Sequence, residues 1–371
     1  MNILLIADVD AQADHSAVEG LFKTDPSNGV RCTKVFFSKQ QKRSQHHQDR
    51  IVLPYSRRRR GLIAALNTTL DLDRVDVIIV RNLFNALAQI QGAGVPACIG
   101  FWESFPHSHR RLEQAYFEDR AIVRKRIEYY LAARRERKMI EACNFYLPIT
   151  ETHKNVFYPD LRIPHHATPM GFDFSRHPIQ SMRPKQGPVR FVYIGAVDKL
   201  RRLDIINEAF MAQKKPFRLD YYSASQNNAA DAIRRLNDSR IRFNEALPRS
   251  ELFDRIARAD IGICFFPHTK TYVTASPTKT VEYGALGLSV LVNRMPEYET
   301  LLNDHCAFIC DFEKAAIQKQ VETILSMERE AIAQRSRRLQ KRVFEQRNYS
   351  GMRERLFRFL RRQVGSGTGK K

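Results

Sequence analysis

Long hydrophobic runs are missing from this sequence. No stretch of about 18 apolar residues occurs in its 371 residues, so no membrane-crossing helix is expected. Cysteine is sparse: Cys32, Cys98, Cys143, Cys264, Cys306 and Cys310 form no CxxC pair, and only the last two are close. That spacing excludes the usual zinc sites. Apolar contexts such as IGICFF around Cys264 predict reduced core residues in a cytoplasmic protein. The opening MNILLIAD lacks a basic leader and reads as a buried strand, not a signal peptide. Acidic charge is short as well. The 40 Asp and Glu face 61 Lys and Arg, a formal net charge of +21. Such an excess favours polyanions: nucleic acid, an anionic membrane face, or a phosphate-bearing substrate. Neither an RNP-like aromatic pattern nor zinc-finger spacing is visible, so a nucleic-acid partner is not expected.

What is present is enough apolar material, 43% of residues, to build packed cores and exclude a disordered chain. The length predicts two domains. Short apolar runs (NILLIAD, TKVFF, VDVIIVRN, PACIGFW, NFYLPIT) are separated in places by segments of helical composition. After a polar, proline-bearing linker near HPIQSMRPKQGP, a second series begins at RFVYIGA and continues through FRLDYYSA, IRFNEA, DIGICFF and SVLVNR. Strands alternating with helices predict α/β units with mainly parallel sheets. Ligands of such sheets bind beyond the carboxyl ends of the strands. This singles out Asp8 to His15, Arg81 to Phe84, and Trp102 to Arg111. A long helix is expected from about Glu118 to Ala142. Its apolar side is Ile122, Val123, Ile127, Tyr130, Leu131 and Ile140, and residues 120–138 carry eight basic and two acidic side chains. The tail from about Glu313 reads as helical and basic, with GSGTGKK disordered.

Three blocks of the second half carry a resemblance. Within SPTKTVEYGALGLSVLV, Pro277, Lys279, Glu282, Ala285 and Gly287 follow the pattern P-x-K-x-x-E-x-x-A-x-G. RFVYIGAVDKLRRLDIINEAF and PMGFDFSRHP complete the set in order. Together they resemble the linker and donor-binding half of retaining GT-B glycosyltransferases, especially glycosyltransferase family 4. The resemblance implies two Rossmann-like, doubly wound domains facing across a cleft. Residues 1–178 would bind the acceptor and 179–345 the nucleotide-sugar. A basic helix within 346–371 would pack back on the N-terminal domain.

The residues support the same donor site. Ser276 and Pro277 suit a helix N-cap and first turn, and the free N–H groups of Thr278, Lys279 and Thr280 would cradle a diphosphate. Lys279 would stabilise the leaving group, and the resemblance gives Glu282 the ribose hydroxyls. Gly195 would let the backbone approach the phosphates, with Arg201 at the position of the family's phosphate lysine and Lys199 as a substitute. Departures stand beside these matches. Thr274 occupies the place of a glutamate that contacts the donor sugar, Ala196 replaces an arginine, and Arg202 replaces a glycine.

On the acceptor side, Glu103 is the first choice and His107 the second for the group nearest the reacting carbon, acting as base or as charge stabiliser. Asp14, His15, His109 and Arg110 are acceptor candidates. Arg57, Arg58, Arg59 and Arg60, with the basic helix, would meet anionic lipid, a lipid diphosphate or a phosphorylated saccharide. Asp8-Val9-Asp10 is a DxD triplet too short to imply a metal, and no cofactor or metal is expected. The implied function is transfer of a sugar, with UDP the favoured nucleotide, to a membrane-associated saccharide or lipid-linked acceptor in bacterial envelope polysaccharide or lipopolysaccharide synthesis. The enzyme would sit on the inner face of the cell membrane. A non-catalytic scaffold of the same fold and a nucleic-acid-binding protein are the alternatives.

Overall fold

The opening apolar run forms β1 (Asn2–Asp10), near the middle of a seven-stranded sheet. Leu4 and Ile6 enter the core on one face of that sheet, and Ile3, Leu5 and Ala7 enter the core on the other. A strand covered on both faces has to be apolar without alternation, which is how this one reads. The structure, a computed structural model, describes residues 1–10, 15–118, 122–179 and 186–367. It divides into two units. One is Met1–Met170 with Thr274–Ser276 and Tyr349–Lys371, and the other is Gly171–Val273 with Pro277–Asn348. The sequence reading had drawn its boundary at residue 178.

In the first unit β1 is joined by β2 (Arg31–Ser38), β3 (Gln45–His47), β4 (Arg50–Pro54), β5 (Val77–Arg81), β6 (Cys98–Glu103) and β7 (Phe145–Pro148). The order is β3-β4-β2-β1-β5-β6-β7, parallel throughout except for the antiparallel β3–β4 edge. Helices α1 (Ser16–Leu21), α2 (Leu62–Asn67), α3 (Phe84–Gly92), α4 (His107–Glu118) and α5 (Ile122–Glu141) supply the crossovers, and α6 (Glu151–Phe157) follows β7. The chain leaves β1 towards β2, then returns past it to β5. The carboxyl ends of β1 and β5 therefore form a topological switch point, the usual ligand position in such sheets.

The second unit repeats the scheme with β8 (Val189–Ile194), β9 (Phe217–Ser223), β10 (Ile241–Glu245), β11 (Ile261–Cys264), β12 (Ser289–Val292) and β13 (Phe308–Ile309). Every neighbouring pair in the order β10-β9-β8-β11-β12-β13 is parallel. Its helices are α7 (Leu203–Met211), α8 (Asn228–Arg234), α9 (Arg249–Ile256), α10 (Lys270–Val273), α11 (Thr278–Ala285), α12 (Pro296–Leu301), α13 (Lys314–Ser326) and α14 (Arg329–Arg347). Here the switch point lies between β8 and β11. Both units are thus Rossmann-like and doubly wound.

The last helix, α15 (Tyr349–Gly367), belongs to the first unit. Tyr349, Met352, Leu356 and Leu360 recur at helical spacing and join the core that holds Leu5, Trp102 and Phe145. Part of the GSGTGKK tail therefore lies in a helix, through Gly367.

The apolar side assigned to the basic helix does not face a core. Of its residues only Ile140 is buried, while Val123, Ile127, Tyr130 and Leu131 are 73%, 56%, 63% and 68% exposed.

Candidate functional site

At the first switch point the ends of β1, β5 and β6 meet in one polar network. The Arg81 guanidinium pairs with the Asp8 carboxylate. It also donates to Ser104 Oγ at 2.7 Å and lies 3.1 Å from His15 Nε2. Asn82 donates to Asp8 Oδ2 at 3.0 Å and to Ser104 Oγ at 2.8 Å. Asn82 has a φ of 54°, the left-handed turn that lets the chain reverse out of the strand. Arg81 is buried and lies 4.8 Å over the Trp102 ring. Burial lowers its pKa, against the pull of Asp8. The network fixes Asp8 as a partner of Arg81. Asp14 lies outside the described residues.

His107 opens α4 and is exposed on one side, with Nε2 4.0 Å from Asp8 Oδ2. Desolvation lowers its pKa, opposed by Asp8 and Glu103, so the ring is mainly neutral near pH 7. Glu103 is placed differently. It is 4% exposed, accepts from the Tyr146 hydroxyl at 2.7 Å and the Tyr158 hydroxyl at 3.5 Å, and lies 3.3 Å from His153 Nε2. Burial beside this carboxylate pushes both tyrosine hydroxyls well above their usual range. His109 is occupied by Glu113 at 3.1 Å, and Arg110 stacks on Phe105.

A pocket of about 1070 Å³ opens beside these residues, entirely within the first unit. Arg57, Arg58, Arg59, Arg60, Arg111 and Arg135 line it, together with Glu103, His107 and Glu136. Its size is at the upper end of ordinary ligand sites, roughly 300–1,000 Å³. The four-arginine run is therefore the wall of a concavity and not a flat basic face. Glu136 is bonded to the Ser108 hydroxyl, and burial raises its pKa.

At the second switch point, Gly195 follows β8 with φ 107°. A Cβ there would lie 2.7 Å from Lys279 Cε. Glycine is required both for the backbone angle and for the close approach. Lys279 Nζ sits 4.1 Å over the Tyr193 ring. Desolvation, and then the neighbouring Arg201 cation, bring its pKa down to about 7. Arg201 lies on a short 3-10 turn, 5.6 Å over Phe266, with Nε 3.6 Å from Asp198. Glu282, on α11, is buried and receives Arg249 Nη2 at 2.6 Å.

Several assigned residues stand elsewhere. Lys199 is exposed and lines a separate pocket with Asp198 and Arg202. Thr280 is fully buried, its hydroxyl 2.8 Å from that of Tyr298, because the third position of α11 faces the core. Ser276 does not cap α11. The N-cap is Pro277, and Ser276 Oγ accepts from the Met170 N–H at 3.0 Å. Thr274 is buried, with its carbonyl accepting from Thr150 Oγ1 at 2.8 Å. Thr278 begins the helix.

Residues 201–357 match the family described as "Glycosyl transferase-like". No curated protein matches. Among solved structures, the chain is similar to a sucrose-phosphate synthase from Thermosynechococcus elongatus (TM-score 0.73, 12% identity, 98% of this chain and 99% of that one). It is also similar to an E. coli structure described as trehalose-6-phosphate bound with UDP-2-fluoro glucose (TM-score 0.68, 10% identity, 97% and 99%). A third is a UDP-forming trehalose-phosphate synthase from Burkholderia xenovorans in complex with glucose-6-phosphate (TM-score 0.66, 14% identity, 97% and 99%). The chain has the GT-B fold, and its residues 201–357 resemble the glycosyl transferase-like family.

One residue of these sites escaped the sequence reading. Arg249, which holds Glu282, lies 33 residues upstream and carries no motif. Arg111, marked by its place after β6, and Arg135, on the basic helix, reach the arginine pocket from α4 and α5. Arg81 was marked only by its place after a strand.

Proposed function

We propose that this glycosyltransferase moves a sugar, with retention, from a nucleoside-diphosphate sugar held by the second unit to a phosphate-bearing acceptor held by the first. The donor reading rests on Lys279 and Arg201, two cations held close together at a switch point under a glycine turn. A diphosphate would restore the partner that burial denies Lys279, and its leaving charge would be stabilised there without a metal. Arg249 would fix the Glu282 carboxylate for the ribose hydroxyls. UDP is the favoured nucleotide.

The single observation carrying the acceptor reading is the pocket with six arginines along its wall. Guanidinium groups grip phosphate in paired hydrogen bonds, and a saccharide phosphate or lipid-linked phosphate supplies that partner. In a bacterial envelope pathway the acceptor would lie at the inner membrane face. His107 is the better placed of the two first-unit candidates to meet the reacting sugar, since Glu103 is engaged by tyrosines. A neutral imidazole beside Asp8 can steady positive charge growing on the sugar.

The test is transfer from a panel of UDP-, GDP- and CMP-sugars to sugar phosphates and lipid phosphates, with the product anomer read by NMR. The expected result is one preferred donor, retained configuration, and turnover unchanged by chelator. Turnover of no donor, or an inverted product, contradicts the reading.

A further inference from the structure

Four of the large apolar side chains exposed on this protein lie on one stripe of α5: Val123, Ile127, Tyr130 and Leu131. Their spacing of four, three and one places them on a single helical face. Arg124 and Arg126 flank the stripe, and Arg134 and Lys138 continue it toward the C-terminus. The opposite side of the helix is already used. Tyr129 packs on His109, Glu136 bonds Ser108, and Ala132 and Arg135 line the arginine pocket. A helix with an apolar face rimmed by arginine and lysine has the character of an interfacial element, its side chains entering the boundary between headgroups and acyl chains.

We infer that α5 docks this protein on an anionic lipid bilayer through the Val123–Ile127–Tyr130–Leu131 stripe. Charge decides the occupant. The helix carries seven basic and three acidic residues on a chain of net charge +21, which an anionic lipid surface complements and a second copy of this chain does not. Two of those carboxylates, Glu128 and Glu141, are engaged by Arg124 and Arg137 of the same helix. Docking by this stripe would hold the arginine pocket about one helix diameter, roughly 10 Å, from the headgroups. The inference deepens the membrane-surface acceptor reading, but its readout needs neither donor nor acceptor.

The experiment is sedimentation of the full chain with vesicles of phosphatidylcholine alone or of phosphatidylcholine and phosphatidylglycerol in equal parts. The comparison is wild type against the triple variant Val123→Ser, Ile127→Ser, Leu131→Ser. Wild type is expected to bind the anionic vesicles, and the variant to bind about tenfold less or weaker, with its melting temperature and its transfer to a soluble acceptor unchanged. A second variant, Arg126→Ser, is expected to bind more weakly than wild type at low salt and to lose less as salt rises, because one charge contact is gone. Failure of wild type to bind anionic vesicles overturns the inference. So does equal binding by the triple variant, or light scattering that shows the stripe closing a dimer of this chain.

Discussion

Lys279 shows how a residue's surroundings set its use. Tyr193 on β8, Arg201 and Asp198 on the 3-10 turn, Cys264 on β11 and Glu282 on α11 are the titratable and charged groups that act on it. With a pKa near 7, the free side chain sheds its proton as pH rises through neutrality. A diphosphate favours the ammonium form, so donor binding should take up a proton. Donor affinity is expected to be flat below pH 7 and to fall above it, by up to about tenfold per pH unit. Calorimetry across pH 6 to 9 in buffers of different ionisation heat checks both points, and affinity rising with pH contradicts them. Gly195→Ala should weaken the donor in the same assay, because its Cβ would displace Lys279. Arg202 gives a separate case. Its φ of 45° is left-handed, so it occupies a glycine conformation, and its ion pair with Asp204 is exposed. Arg202→Gly is expected to leave stability unchanged or raise it by up to about 1 kcal/mol in urea denaturation. A clear loss would show that the arginine has a role beyond filling the turn.

Among the elements, α15 ties the chain's end into the first unit's core. Leu360 is fully buried there. Leu360→Ala should cost about 2–5 kcal/mol in denaturant unfolding, as deletion of a core leucine does. An effect below about 0.5 kcal/mol would mean that the helix is not docked. The strands were legible in the sequence because parallel strands buried on both faces leave unbroken apolar runs, as NILLIAD and IGIC do. The edge strand β3 was not, because it is exposed and polar. The exposure of the stripe on α5 was not legible for a related reason. Periodicity shows that a helix has an apolar face, but not what covers it. Within the donor site, Lys279 and Glu282 stood in a motif. Arg249 could not be found that way, since its pairing with Glu282 depends on how α9 and α11 pack. The burial of the Thr280 side chain was not legible, because a helix's first turn has both a core and a solvent side.

At the scale of the whole molecule, charge is gathered and not spread evenly. Six arginines line one pocket, and α5 carries a further concentration. Replacing Arg57, Arg58, Arg59 and Arg60 with Ser should raise the KM for a phosphorylated acceptor by more than about tenfold while donor affinity stays within about twofold. Equal loss for both substrates would mean that the run supports the fold and not the acceptor. The account as a whole turns on the division of labour between the two units, and one titration tests it most directly. Wild type, Lys279→Ala and the four-arginine variant are each titrated with UDP, GDP and CMP at neutral pH. The expected result is one nucleotide bound by wild type, bound equally by the arginine variant and lost in Lys279→Ala. Nucleotide binding that survives Lys279→Ala but disappears with the arginines would place the donor in the first unit and contradict the account.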